Sequence, residues 1–210
     1  MILDKYEKTL CGIGYFGEGK HKARVNHKLT KKYNSWSNMI NRCYNPYVLN
    51  KRPTYIDCYV ESDLHCFQNF GDWFDENYYE VPNEKMHLDK DILCKGNKIY
   101  SKDTMIFVPE KINSLFTKDN KTRGEYPIGV TYHKKNNNLR VMCSIINENG
   151  ETELKHLGCF PLNRPFQAFT CYKNFKENYI KQVADKYYSK GLIPKKLYDA
   201  MYKYEVEIND

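Results

Sequence analysis

The segment 86–116 constrains the fold of this chain more than any other stretch. It combines a strand-like run that contains Asp89, a turn at Gly96, an apolar strand at 105–109 and a short helix that contains Asn113. This order predicts a compact ββα unit. Carboxylate and amide oxygens at Asp89 and Asn113 are suitable ligands for one divalent metal ion, so the unit is a candidate metal site.

Helical periodicity and alternation predict the elements on either side of this unit. Apolar residues recur at helical spacing before it and near the C-terminus, and three short strands lie between. The predicted helices are 35–45, with Ser35 as its N-cap, 64–78, 165–188 and 194–204, and the predicted strands are 128–133, 139–146 and 152–159. The predicted fold class is α+β, with a ββα-metal domain and flanking helices followed by a three-stranded antiparallel sheet packed on a helix.

The composition along the chain predicts its domain organisation. Residues 1–34 are rich in Gly and Lys and form an N-terminal arm or hairpin, while 35–116 form the helical and ββα domain. The polar segment 117–127 is the predicted linker. Residues 128–210 form the second domain with its C-terminal helices.

Charge and cysteine usage narrow the class of protein. With 33 Lys and Arg against 26 Asp and Glu, the net charge of +7 favours polyanionic partners. The eight cysteines are scattered singly without a CxxC pair, which predicts reduced thiols and no zinc, although convergence of Cys43, Cys58, Cys66 and Cys94 on a metal stays open. No secretory signal or long apolar run is visible, so we expect a cytoplasmic protein without a membrane partner.

Residues of several elements together resemble a known family. They are Trp36, Met39, Arg42-Cys43-Tyr44-Asn45, Phe67, Phe70, Trp73, Leu88-Asp89-Lys90-Asp91, Gly96-Asn97 and Tyr100-Ser101. With these residues the chain is similar to a phage-borne family related to HNH (His-Me finger) homing endonucleases. The resemblance implies an HNH-like ββα-metal domain, a phage origin with location in the host-cell cytoplasm, and metal-dependent cleavage of double-stranded DNA.

The resemblance also implies roles for single residues. Asp89 matches the metal ligand on the strand and Asn113 the metal ligand on the helix, with Mg²⁺ or another divalent metal as cofactor. Lys90 stands where the general-base histidine is expected, and Thr104 stands where an asparagine orients that histidine. A lysine with an ordinary pKa of about 10.4 is protonated and accepts no proton. His87 shares a strand face with Asp89 and is a candidate replacement, while Lys90 alternatively steadies the phosphate.

A second resemblance covers the C-terminal part. Its residues are Gly129-Val130, Lys155-His156-Leu157-Gly158-Cys159-Phe160, Ala168 and Tyr172. They are similar to the ethylene-response-factor (APETALA-type) DNA-binding domain, whose sheet lies in the major groove. The candidate DNA-binding residues are Tyr132, His133, Lys135, Arg140, Lys155 and His156, and Arg140 is our first choice for a base contact.

Three functions are compatible with these patterns. The leading hypothesis is a metal-dependent HNH-type DNA endonuclease. The second is an inactive nuclease-derived regulator that binds DNA or a host-defence protein, because only Asp89 and Asn113 keep their expected chemistry. The third is a protein-interaction module that uses the abundant tyrosines on its surface.

Overall fold

The computed structural model describes residues 4–117, 125–147 and 150–208. Within these ranges the structure is a mixture of helices and strands, which confirms the predicted α+β class. The chain divides into two compact units, Met1–Val108 and Pro109–Asp210.

The predicted domain bounds are not tested by this division. The greater part of the linker predicted at 117–127 lies outside the described residues. The segment 1–34 contains a short antiparallel hairpin, in which Arg24 is paired with Leu29. Bridges between Leu10 and Gly14 and between Tyr15 and Cys66 join earlier residues of this segment to each other and to the first unit.

The elements up to the boundary between the units are three helices and six short strands within the described residues. In chain order they are β1 (Arg24–Val25), β2 (Lys28–Leu29), α1 (Lys31–Tyr44), α2 (Pro46–Lys51), β3 (Tyr59–Val60), α3 (Phe67–Asn77), β4 (Met86–Asp89), β5 (Ile99–Tyr100) and β6 (Ile106–Pro109). Strand β1 pairs with β2, β3 pairs in parallel with β5, and β4 pairs with β6.

Helix α1 begins earlier than its apolar stripe indicates. The predicted N-cap, Ser35, lies inside the helix, and the actual cap is Thr30, whose hydroxyl accepts the N–H of Tyr33 at 3.1 Å. The polar residues that follow Thr30 tolerate helical geometry, so the helix extends back to the better-placed cap. At the other end Asn45 terminates α1 and caps α2, accepting the N–H of Tyr47 at 3.0 Å.

The aromatic stripe of α3 forms the centre of the first unit, as the sequence predicts. Phe67, Phe70 and Trp73 are buried against Trp36 of α1 and Phe107 of β6. The indole N–H of Trp36 donates to the Leu64 carbonyl at 3.0 Å, so its one polar atom is satisfied inside the core. This packing fixes α1 against the strands and thereby positions β4.

The second unit contains three strands and three helices within the described residues. They are α4 (Glu110–Phe116), β7 (Val130–His133), β8 (Asn138–Ile146), β9 (Thr152–Phe160), α5 (Pro165–Tyr188) and α6 (Lys195–Tyr202). The strands form an antiparallel sheet in the order β7-β8-β9 that packs on α5, as predicted. Leu139, Val141 and Cys143 alternate towards a core shared with Ala168 and Tyr172.

Strands β4 and β6 and helix α4 follow one another in the strand, strand, helix order that the sequence predicts. The first strand ends at Asp89, where the chain turns. An additional strand, β5, lies between β4 and β6 along the chain and pairs with β3. The order of elements is thus present, and its assignment as an HNH core remains a proposal.

Candidate functional site

Asp89 ends strand β4 and forms the turn that follows it. Its Oδ1 accepts the backbone N–H groups of Asp91 at 2.9 Å and Ile92 at 2.8 Å. Burial, together with repulsion from Asp91, raises the pKa of Asp89 to about 6, although the two N–H donors act in the opposite direction. The ionised carboxylate is therefore costly in the isolated protein, and a cation beside it relieves that cost.

Lys90 points into the interior of the first unit. It is only 6% exposed, and its ammonium donates to the Asn97 carbonyl at 2.9 Å and to Asp91 Oδ2 at 3.2 Å. The same ammonium lies 5.9 Å from the centre of the Tyr100 ring. In return, the Asn97 side-chain amide donates to the Lys90 carbonyl at 2.7 Å. These contacts hold the loop between β4 and β5 and give Lys90 a structural role.

Thr104 is also engaged in local structure. Its hydroxyl donates to the Ile99 carbonyl at 2.7 Å and lies 2.9 Å from the Ser101 hydroxyl. It also accepts the backbone N–H of Ser101 at 3.1 Å. These bonds close the turn between β5 and β6, which is a use of threonine typical of such turns.

The two predicted metal ligands belong to different units. Asp89 lies in the first unit, whereas Asn113 lies on α4 of the second, where its carbonyl accepts the hydroxyl of Thr117 at 3.2 Å. Among the described residues, no group of three or more His, Cys, Asp or Glu is arranged to hold a metal ion, the four cysteines included. Asp89 and Asp91 nevertheless offer hard oxygen ligands, and Mg²⁺ commonly uses one or two carboxylates and completes its shell with water.

A basic cleft of about 530 Å³ lies beside this turn, between α1, α2 and β4. Four cationic residues, residues with amide and hydroxyl groups, and His87 contribute to its walls, and the Nε2 atom of His87 is buried. The lining residues are Ser35, Asn38, Asn41, Arg42, Tyr47, Val48, Lys51, Arg52, Lys85, Met86, His87 and Leu88. The cleft thus brings His87 close to four cationic residues that are distant from it in the sequence or follow no motif with it. They are Arg42, Lys51, Arg52 and Lys85.

Arg42 connects the cleft to strand β4. Its guanidinium donates to the Leu88 carbonyl at 3.2 Å and packs 5.6 Å from the centre of the Tyr55 ring. Burial alone lowers the pKa of Arg42, but the attraction of Tyr100, Tyr55 and Asp89 outweighs it and leaves the pKa above its ordinary value. Arg42 is therefore a fixed positive charge that acts on Asp89 through space.

The candidate DNA-binding residues of the second unit are divided between the two faces of the sheet. Arg140 alternates with the buried Leu139 and Val141 and lies on the open face, where Cys159 is its partner on β9. His156 is paired with Met142 across a register shift and lies 3.5 Å from the Cys159 sulphur. His133 lies on the same open face as Arg140. Its neighbour Tyr132 is paired with the buried Leu139 and faces the helix, so His133 faces the other way.

Tyr132 and Lys155 are on the helix side by register. Tyr132 is paired with Leu139, and its hydroxyl donates to the Asn137 side chain at 2.9 Å. Lys155 is paired with the buried Cys143, and its ammonium lies 5.2 Å from the Phe175 ring. Lys135 lies in the single helical turn that joins β7 to β8. The open face therefore carries Arg140, His133 and His156, and the other three residues flank it or face α5.

No family model, curated protein or solved structure matches this chain. Both family resemblances therefore remain expectations. None of the helices within 4–117, 125–147 and 150–208 combines the length and the apolar character needed to span a bilayer.

Proposed function

We propose that this chain is a DNA-binding protein of HNH endonuclease type that holds the phosphate backbone in the basic cleft. The observation that carries the proposal is the set of cations Arg42, Lys51, Arg52 and Lys85 around one concavity, since none of the described residues that line it is a carboxylate. A cleft with one sign of charge concentrates the opposite charge. Arginine, lysine and amide groups are the usual donors to phosphate oxygens.

The position of His87 supports cleavage as well as binding. His87 is one of the residues that line the cleft, with its Nε2 buried, and as a general base it would take the proton of a water whose oxygen attacks phosphorus while the ester P–O bond breaks. Asp89 and Asp91 are the residues that would hold a divalent metal, which supplies charge stabilisation at the phosphate when bound. Arg42 adds a fixed positive charge beside β4, where its guanidinium donates to the Leu88 carbonyl.

A second candidate function is DNA binding without cleavage. The internal contacts of Lys90 and Thr104 favour it, because the two positions expected to carry and orient the general base serve the local structure instead. In this case the cleft retains its affinity for DNA, and the protein acts as a regulator by occupying its site.

Fluorescence anisotropy with a labelled duplex tests the binding step. We expect Lys51→Gln/Arg52→Gln to weaken binding and to reduce the slope of log K against log salt by roughly 2, because each phosphate contact contributes about one unit. Lys22→Gln/Lys28→Gln is the matched control, since it removes the same charge from exposed residues outside the cleft. Equal losses in the two double variants would show that only net charge matters and would remove the basis of the proposal.

Nicking of supercoiled plasmid with Mg²⁺ or Mn²⁺, and then with a chelator, tests the cleavage step. We expect His87→Asn to reduce the nicking rate by roughly 10²- to 10⁴-fold while anisotropy shows DNA binding retained. His27→Asn, at an exposed position of the hairpin, is the control. If the parent protein binds duplex DNA but nicks it with neither metal, the protein binds DNA without cleaving it and the nuclease hypothesis is wrong.

A further inference from the structure

A lysine interrupts the apolar stripe of α5. Ala168, Tyr172, Lys176 and Ile180 follow one another at a spacing of four residues, and all four are buried. Lys176 is 8% exposed, although a lysine is almost never buried to this extent without a partner. The sequence pattern alone gives no reason for a cation at this position.

Lys176 makes no hydrogen bond or ion pair with any residue that the structure describes. The adjacent Glu177 is committed elsewhere, since it accepts the backbone N–H of Val206 and the ammonium of Lys173, both at 2.8 Å. Burial lowers the pKa of Lys176, opposed by the nearby Cys143 thiol. An isolated ammonium in such surroundings is unfavourable until an anion pairs with it.

The side chain of Lys176 lines a cavity of about 240 Å³ within the second unit. The cavity is bounded by the end of α4, the start of β7, strands β8 and β9, α5 and the segment after α6. Its walls are mixed, with apolar contributions from Phe116, Met142 and Val206 and hydroxyl groups from Thr117 and Ser144. Phe116 is fixed by an edge contact with Tyr204 at 4.8 Å, so this wall is itself packed.

We propose that this cavity binds a small monocarboxylate with an apolar body, whose carboxylate pairs with Lys176. One ammonium matches one negative charge, whereas a phosphate monoester carries close to two charges and demands more donors. The apolar walls accommodate a hydrocarbon or aromatic body. The volume lies below the range of roughly 300–1,000 Å³ that is usual for drug-sized ligands, which restricts the ligand to a small molecule.

Benzoate is the probe, and benzyl alcohol is its uncharged counterpart. Saturation-transfer NMR and thermal denaturation of the full chain measure binding. We expect benzoate to bind the parent and Lys186→Met, an exposed change on the same helix, and to bind Lys176→Met at least tenfold more weakly. Lys176→Met keeps an unbranched side chain, shorter by one atom, and removes the desolvated charge, so we expect it to fold with a higher melting temperature than the parent.

Two further measurements keep the proposal open to refutation. Lys176→Arg retains the charge, and benzoate affinity should stay within about threefold of the parent, which corresponds to less than one decade in Kd. Benzyl alcohol should bind at least tenfold more weakly than benzoate. Equal binding of the two probes, unchanged benzoate affinity in Lys176→Met, or no benzoate binding to the parent would each overturn the proposed ion pair.

Discussion

Replacement of Asp89 by Asn should make the metal-free protein more stable at neutral pH. The folded-state pKa of Asp89 is about 6, whereas its ordinary value is 3.8. A difference of about two pKa units corresponds to about 3 kcal/mol, at roughly 1.4 kcal/mol for each unit. Asn keeps an oxygen acceptor for the N–H groups of Asp91 and Ile92, but its amide N–H₂ needs new partners at a cost of about 1 kcal/mol. The expected net gain is about 2 kcal/mol.

The gain has a defined dependence on pH. Because the folded pKa of Asp89 lies above the unfolded one, the folded protein binds more protons between pH 3.8 and about 6. The free energy of unfolding of the parent therefore falls as pH rises through this window and is lowest, with respect to this group, above it. In Asp89→Asn this decline is absent. The variant should therefore be about 1 kcal/mol less stable than the parent at acid pH, where only the amide cost applies, and about 2 kcal/mol more stable above about pH 7.

Urea denaturation followed by circular dichroism, at several pH values in the presence of a chelator, measures this difference. Glu76→Gln is the matched control, because it neutralises an exposed carboxylate on α3 and should change stability by less than about 0.5 kcal/mol. An Asp89→Asn protein that is no more stable than the parent at about pH 7.5 would contradict the assigned desolvation cost. So would a gain that is the same at every pH.

Three further substitutions test the fold. Gly129→Ala should cost about 2 kcal/mol or more in thermal denaturation, because Gly129 has φ of 76° and an added Cβ would lie 2.0 Å from the Tyr172 ring. Leu139→Ala should lower the urea-derived free energy of unfolding by roughly 2–5 kcal/mol, since Leu139 is fully buried between the sheet and α5. Asn45→Ala should cost about 1 kcal/mol by the same assay, because it removes the N-cap of α2, and a change below about 0.3 kcal/mol would speak against that cap.

Local periodicity was sufficient for the second unit. The strands predicted at 139–146 and 152–159 and the helix at 165–188 correspond closely to β8, β9 and α5. Alternation and helical spacing are direct consequences of burying one face, so they are legible in the sequence. The same dependence on apolar spacing explains why the predicted start of α1 is wrong. The first turn of this helix, after Thr30, is polar, so no apolar stripe marks it in the sequence.

The candidate site depends on assembly rather than on local pattern. In the sequence Lys90 stands at the expected general-base position, yet in the structure it is buried, because the loop that follows β4 folds back and presents the Asn97 carbonyl to its ammonium. Likewise, Arg42, Arg52 and His87 are far apart along the chain. They share a cleft only because the aromatic core fixes α1 against β4, and α2 follows α1 directly through the cap residue Asn45.

The sequence by itself determined the α+β class and the order of strands and helices in the second unit, because both follow from short-range periodicity. Only the tertiary structure decided that Lys90 and Thr104 serve local structure, that a basic cleft surrounds His87, and that Lys176 is buried beside a cavity. The burial of a side chain and its electrostatic partners depend on which distant segments of the chain pack together. A local sequence pattern contains no information on that packing.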